Sequence, residues 1–257
     1  MNGCILRLER LSFGYGGRPL FSDLSLSLFK NEIICIIGTS GCGKTTLLNL
    51  AAGFISPDEG GVYSRGVAVE EPGPDRIMIF QDGGQLFPWL TAGANVRFAD
   101  RGLSVAESDR LLAQAGLSGC GGLYPSQLSG GMRQRAALAR ALAGNPSVLL
   151  LDEPFSAVDA PTRRGLQDTL LSLRTAAGLS ALFVTHDIRE AVYLSDRVFV
   201  LTAGGGFVVE NDLPHPRDRF STGFVQFEKR LYSMLESPPV EGVSAEPAGV
   251  PLPADTR

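Results

Sequence analysis

Apolar and polar residues alternate along the first thirty positions. Leu6, Leu8 and residues 11–13, then Leu24, Leu26 and Leu28, fall on every second position. That period predicts half-buried strands. Residues 32–37 form a continuous apolar run after Glu32, which suits a strand covered on both faces. The run enters a glycine-rich turn and then a helix from Lys44 to about Ala52, stopped by Gly53. Residues 62–69 and 76–80 predict further strands.

The middle of the chain reads as helical. Ser104 and Glu107 have the spacing of a capping box, Leu111 and Leu112 face inward, and Gly116 ends the segment. Ser129 then starts a helix that runs to about Ala143. Beyond it strands and helices alternate: strand 148–151, helix 163–177, strand 181–185, a short helix from Ile188, and strand 197–201. Such alternation predicts parallel strands joined by crossover helices, an α/β architecture. A last helix carries Phe224, Phe227, Leu231 and Leu235 near one face. Five prolines and little apolar content predict a disordered tail over residues 237–257.

Composition narrows the field. The chain has 257 residues, 44% hydrophobic and 19% charged, which excludes wholesale disorder. No apolar run approaches the roughly 20 residues needed to span a bilayer, and the first residues carry no signal pattern. The expectation is a chain that stays in the cytosol. A net charge of −4 argues against a broad nucleic-acid surface. Cys4, Cys35, Cys42 and Cys120 lack metal-ligand spacing and read as buried or incidental thiols.

Three segments carry candidate chemistry. Gly38-Thr39-Ser40-Gly41-Cys42-Gly43-Lys44-Thr45 fits GxxxxGK[ST] between a strand and a helix. Glycines there let consecutive N–H groups and the helix N-terminus face a polyphosphate. Lys44 would neutralise β- and γ-phosphate charge, and the Thr45 hydroxyl would ligate Mg²⁺. The buried strand 148–151 ends in Asp152 and Glu153. Alternation sends these two carboxylates different ways, Asp152 toward the Mg²⁺ shell and Glu153 toward an attacking water as general base. Ser129, Gly130 and Gly131, at the head of a helix, make either a second anion site or a plain N-cap with a glycine turn.

Together the phosphate loop, Leu-Ser-Gly-Gly at 128–131, the strand before Asp152-Glu153, Asp159 and His186 resemble the nucleotide-binding subunit of ATP-binding cassette (ABC) transporters. The resemblance covers about residues 4–235. It implies a P-loop NTPase (RecA-like) core with an antiparallel β subdomain and an inserted α-helical signature subdomain at about 86–145, all within residues 1–236. It also implies Mg²⁺ and ATP, bound by a head-to-tail dimer. Ser129, Gly130 and Gly131 of one copy close over ATP held by Gly38 to Thr46 of the other, Thr46 included. By the same resemblance Gln81 sits at the Mg²⁺ and water, His186 contacts the γ-phosphate, Asp159 communicates across the dimer, and Tyr15 stacks on adenine, with Phe13 a neighbouring candidate.

One cassette without a membrane span is similar to importers built from separate subunits. Phe87-Pro88-Trp89-Leu90-Thr91 and residues 213–219 resemble the nitrate, sulfonate and taurine group. The implied partners are integral membrane permease subunits, a second ATPase subunit and, indirectly, an extracytoplasmic solute-binding protein, with no nucleic acid. The implied location is the cytoplasmic face of the inner membrane. Trp89 reads either as part of a local core cluster or as part of the groove that receives a permease helix. Asp82-Gly83-Gly84 departs from the commoner pattern, with its Glu after the glutamine, and suggests a looser hinge. Arg133, Arg135 and Arg140 lie on one helix and suggest either phosphate contacts or, the favoured reading, a solvated or interdomain salt-bridged face, and His215 receives no role. The alternative is a cytosolic non-transport ATPase of the same superfamily. DNA-repair forms carry a long coiled-coil insertion, translation factors carry two cassettes, and inactive regulators have usually lost Glu153 or His186. None of these features is present.

Overall fold

The computed structural model describes residues 3–80, 85–156 and 158–237. Two sheets organise it. The first is antiparallel, in the order β2-β1-β4-β5, from β1 (Cys4–Tyr15), β2 (Arg18–Phe29), β4 (Glu59–Ser64) and β5 (Val67–Ala68). The second has the order β10-β9-β3-β8-β7-β6, from β3 (Ile33–Gly38), β6 (Arg76–Ile79), β7 (Val148–Asp152), β8 (Ala181–Val184), β9 (Arg197–Thr202) and β10 (Gly205–Glu210). Its strands are parallel except β10, which is antiparallel to β9.

The period-two rule explains how β3 supports both halves of the core. Ile33, Cys35 and Ile37 pack with Leu149, Leu151 and Phe183 against α5 (Ala160–Ala177), α6 (Ile188–Leu194) and α7 (Thr222–Glu236). Ile34 and Ile36 face the other way, joining Leu6, Leu8, Leu26 and α1 (Lys44–Ala52). A third cluster lies among α2 (Ala92–Ala99), α3 (Val105–Gln114) and α4 (Gly130–Ala143), around Val96, Leu112, Leu128 and Ala136. Fully burying each large aliphatic side chain contributes about 1.5–3 kcal/mol, so the uninterrupted run in β3 anchors the fold.

Several expectations hold to the residue. α1 spans Lys44–Ala52 and Gly53 caps it at φ 82°, where a side chain would be strained. Ser104 and Glu107 form the reciprocal capping box, and Ser129 caps α4 by accepting from Met132 N.

Others are corrected. The strand expected over 62–69 is a hairpin, because Arg65 and Gly66 both adopt positive φ in a two-residue turn. α5 begins at Ala160 rather than near Arg163, since Asp159 caps it and Pro161 suits its first turn. Elements α2 and β10 were not expected at all. Arg133 and Arg140 do not form a solvated or salt-bridged face. Both are half-buried, and they donate to Leu128 O at 2.7 Å and Gln85 O at 2.6 Å. Arg135 is half-buried beside Gly116 and Gly165. No described helix is long and apolar enough to cross a membrane. The expected tail lies almost wholly outside the described residues.

Candidate active site

Every candidate in the parallel sheet lies at the C-terminal end of a strand, the edge where open α/β sheets bind ligands. The loop between β3 and α1 is fixed by crowding on two sides. A side chain at Gly38 would meet Leu201 O at 2.5 Å and Cys42 Sγ at 2.6 Å. Gly43, at φ 101°, lies against Leu20 and Phe21 of β2. Gly41 has φ 79° and open space around it, so this stretch of backbone can be approached closely. Lys44 Nζ donates to Gly38 O at 2.9 Å and Thr39 O at 3.0 Å, which folds the ammonium back over the loop. Thr39, Ser40 and Thr45 are exposed, while Cys42 and Thr46 are buried.

Asp152 ends β7 and is only 8% exposed. Burial pushes its carboxyl up, opposed by a hydrogen bond with the Thr45 hydroxyl and by the Lys44 charge. A hydroxyl beside a carboxylate is a hard-oxygen pair suited to Mg²⁺. Among the described residues no cluster of three or more His, Cys, Asp or Glu side chains could cage a metal. Among the described residues Thr45 and Asp152 offer two oxygens to such a site, and magnesium usually takes the rest from phosphate and water.

Glu153 parts from Asp152 by a sharper device than strand alternation. Its φ of 43° is left-handed, and its N–H still donates to Val184 O at 3.0 Å. Non-glycine residues hold this conformation at a cost of about 1–3 kcal/mol, and they gather at functional sites. The twist brings Glu153 Oε2 to 2.9 Å from His186 Nδ1. His186 follows β8 and its side chain is 64% exposed, so the pair opens to solvent on the imidazole side.

Ser129, Gly130 and Gly131 head α4. Ser129 and Gly130 are exposed, and Gly131 is buried against the Thr162 methyl with no room for a side chain. Thr162 is also the partner of Asp159, whose carboxylate accepts from Thr162 N at 3.0 Å and Thr162 Oγ1 at 2.8 Å. Those bonds hold the Asp159 carboxyl below the usual range. The signature turn and Asp159 thus form one surface.

Tyr15, at the end of β1, is 57% exposed and meets Phe13 edge-on with centroids 4.9 Å apart. Leu20 and Phe21 of the same hairpin touch Gly43, which sets the hairpin tip beside the phosphate loop. Gln81 and the Asp82-Gly83-Gly84 segment lie outside the described residues. Trp89 is not part of a core, since it is 70% exposed beside Phe87, whose ring also meets Phe98.

Arg163 was missed by sequence reasoning. Its guanidinium spans Val158 O at 3.3 Å and Asp187 Oδ2 at 3.4 Å, tying the segment before Asp159 to the residue after His186. A basic residue four positions past Asp159, inside the first turns of a helix, was the available signal.

Comparison with known proteins supplies the family. The family model described as ABC transporter matches residues 21–156. The aliphatic sulfonates import ATP-binding protein SsuB 2 of Burkholderia cenocepacia is 42% identical over 93% of this chain and 89% of its own length. The nitrate import ATP-binding protein NrtD of Synechococcus elongatus is 46% identical over 77% of this chain and 76% of its own. The taurine import ATP-binding protein TauB of Escherichia coli is 43% identical, covering 80% and 83%. Among solved structures, a dimeric post-hydrolysis ATP-binding cassette bound to ADP and Pi superposes with a TM-score of 0.68. It shares 29% identity and covers 80% of this chain and 99% of that one. Fold and site define a nucleotide-hydrolysing cassette. The chain belongs to the ABC transporter family and is one of its ATPases.

Proposed function

We propose that this chain is the ATPase subunit of an importer, working as two copies clamped head to tail on two molecules of Mg-ATP. The observation that carries the reading is the 2.9 Å contact of Glu153 with His186, which follow β7 and β8, two strands and one strand from the β3 that leads into the phosphate loop. Backbone N–H groups of residues 38–43 and the Lys44 ammonium bind the β- and γ-phosphates, and Thr46 supports the loop from within. Thr45 and Asp152 would hold Mg²⁺, which when bound neutralises charge on the phosphate oxygens. Glu153 takes the proton of the attacking water, worth roughly 10²–10⁴ in rate. His186 steadies that carboxylate through Nδ1 and has its other nitrogen available to the γ-phosphate. Gln81, by the family resemblance, would complete the water's surroundings.

Ser129, Gly130 and Gly131 close over the ATP of the second copy, and Asp159, on the same surface, faces the partner. Tyr15 stacks on the base. Closure and release drive the permease subunits between two accesses. The exposed Trp89 and Phe98, joined by the half-buried Phe87, suit the permease contact. The relatives named for sulfonate, nitrate and taurine import support a small oxyanion or sulfonate as the solute. A solute-binding protein outside the membrane delivers it, and the ATPase sits peripherally on the cytoplasmic face. Glu153→Gln tests the chemistry: ATP binding is retained and turnover falls at least a hundredfold. Equal rates for variant and parent would remove Glu153 from its role.

A further inference from the structure

His186 stands on a turn whose shape depends on one buried hydroxyl. Thr185 is 2% exposed; its Oγ1 accepts from Asp187 N at 3.0 Å and donates to Glu190 Oε2 at 2.6 Å. The other oxygen of Glu190 accepts from Gln167 Nε2 of α5 at 2.7 Å. Gln167 Oε1 in turn accepts from Arg219 Nη2 at 2.6 Å. The chain of contacts therefore runs unbroken from the His186 turn to the loop before α7.

Energetics make this an odd place for a carboxylate. Glu190 is 5% exposed, and burial raises its carboxyl against the bonds from Thr185 and Gln167. An apolar residue of similar volume would often serve stability as well. What the carboxylate does supply is a fixed direction for the Thr185 hydroxyl. Glu190 and Thr185 also line one small pocket with Glu153 and His186, so a shift in the relay reaches the reacting pair directly.

The far end is anchored as firmly. The Arg219 guanidinium lies over the Tyr193 ring, 3.4 Å from its centroid, and Tyr193 Oη donates to Asp168 Oδ1 at 2.6 Å. Arg189 Nη2 donates to Arg219 O at 3.2 Å. Arg217, two residues earlier, is buried and donates to Tyr193 O at 2.9 Å and Leu213 O at 3.2 Å.

We infer that Arg219 is a positioning residue for hydrolysis, acting on His186 through Gln167, Glu190 and Thr185. The inference rests on the proposed role of His186 and Glu153. It links the end of the segment 213–219, through Arg219, to the turn that carries His186.

The test uses the full chain and Mg-ATP, comparing Arg219→Ala, Arg219→Lys, Gln167→Met and His186→Ala with the parent. The two histidines of the chain, His186 and His215, allow imidazole NMR signals to be assigned with a His215→Gln variant. Arg219→Ala and Gln167→Met are expected to lower kcat about tenfold, to leave the KM for ATP within twofold, and to move the His186 signal. Arg219→Lys, which keeps one donor, recovers part of the kcat. Should Gln167→Met fail to fold, the half-buried Arg219 site still gives the result. An unchanged kcat and an unmoved His186 signal in Arg219→Ala, with His186→Ala inactive, overturns the relay alone. Full activity of His186→Ala overturns the relay together with the catalytic reading beneath it.

Discussion

At the scale of single residues, backbone angle decides as much as side-chain type. Glu153 reaches His186 because its φ is 43°, whereas a strand-like continuation would have sent it elsewhere. The identity of the pair was legible in the sequence; the left-handed turn was not, since nothing local to Asp152-Glu153 announces it. Cys42 shows the converse. A thiol in a phosphate loop suggests reactivity, yet Cys42 is 9% exposed and burial raises its pKa, outweighing Lys44. Less thiolate is then present at neutral pH than for an ordinary cysteine. With iodoacetamide at pH 7, mass spectrometry should find exposed Cys4 alkylated well before Cys42. Faster labelling at Cys42 would show that the loop opens far more than the geometry allows.

Elements with a long period or a strong stop signal were readable from the chain. The apolar run of β3, the Gly53 stop of α1 and the capping box of α3 are local features, and local features survive folding. What escaped was short or set by partners. Helix α2 opens Ala92-Gly93-Ala94, weak helix formers in part, and it is held by the Thr91 cap and by Asn95, which bonds Phe87, Leu90 and Thr91. Strand β10 follows a glycine run that reads as loop, and only pairing with β9 makes it a strand. The relay behind His186 joins α5, α6 and the segment before α7, so no spacing in the sequence exposes it. Helix α7 supplies a test of how far the core extends. Phe224 is fully buried in the same cluster as β3 and α5. Phe224→Ala should cost about 3–5 kcal/mol, read as a lower urea midpoint with an unchanged slope. A loss below 1 kcal/mol would place α7 outside the cooperative unit.

For the whole molecule the two sheets share one purpose, which is to hold loops from three strands, β3, β7 and β8, at one edge while the helical cluster presents a second surface. The phosphate loop, Asp152, Glu153 and His186 converge on that edge, and Gly131, two residues from Ser129, meets Thr162, the hydrogen-bond partner of Asp159. The exposed Trp89 and Phe98, either side of half-buried Phe87, are the surface proposed above for a partner of a different kind. Gentle extraction of native membranes should bring down a polytopic permease with the tagged chain. Replacing Trp89 with Ala should weaken that capture while leaving ATP binding intact. Recovery of the chain from the soluble fraction alone, with no permease, would leave the ATPase chemistry standing and remove the transport role.

The sharing of each site by two copies is the claim on which the mechanism turns, and complementation measures it directly. Lys44→Ala removes the phosphate-binding ammonium, and Ser129→Arg fills the surface that closes over the partner's ATP. Each variant alone should be inactive. In a mixture, one site of the mixed dimer joins an intact phosphate loop to an intact signature turn, so ATP hydrolysis should reappear on mixing and depend on both proteins. If mixing restores no turnover while both variants remain folded and able to associate, the two surfaces do not serve one site, and the shared-site account is wrong.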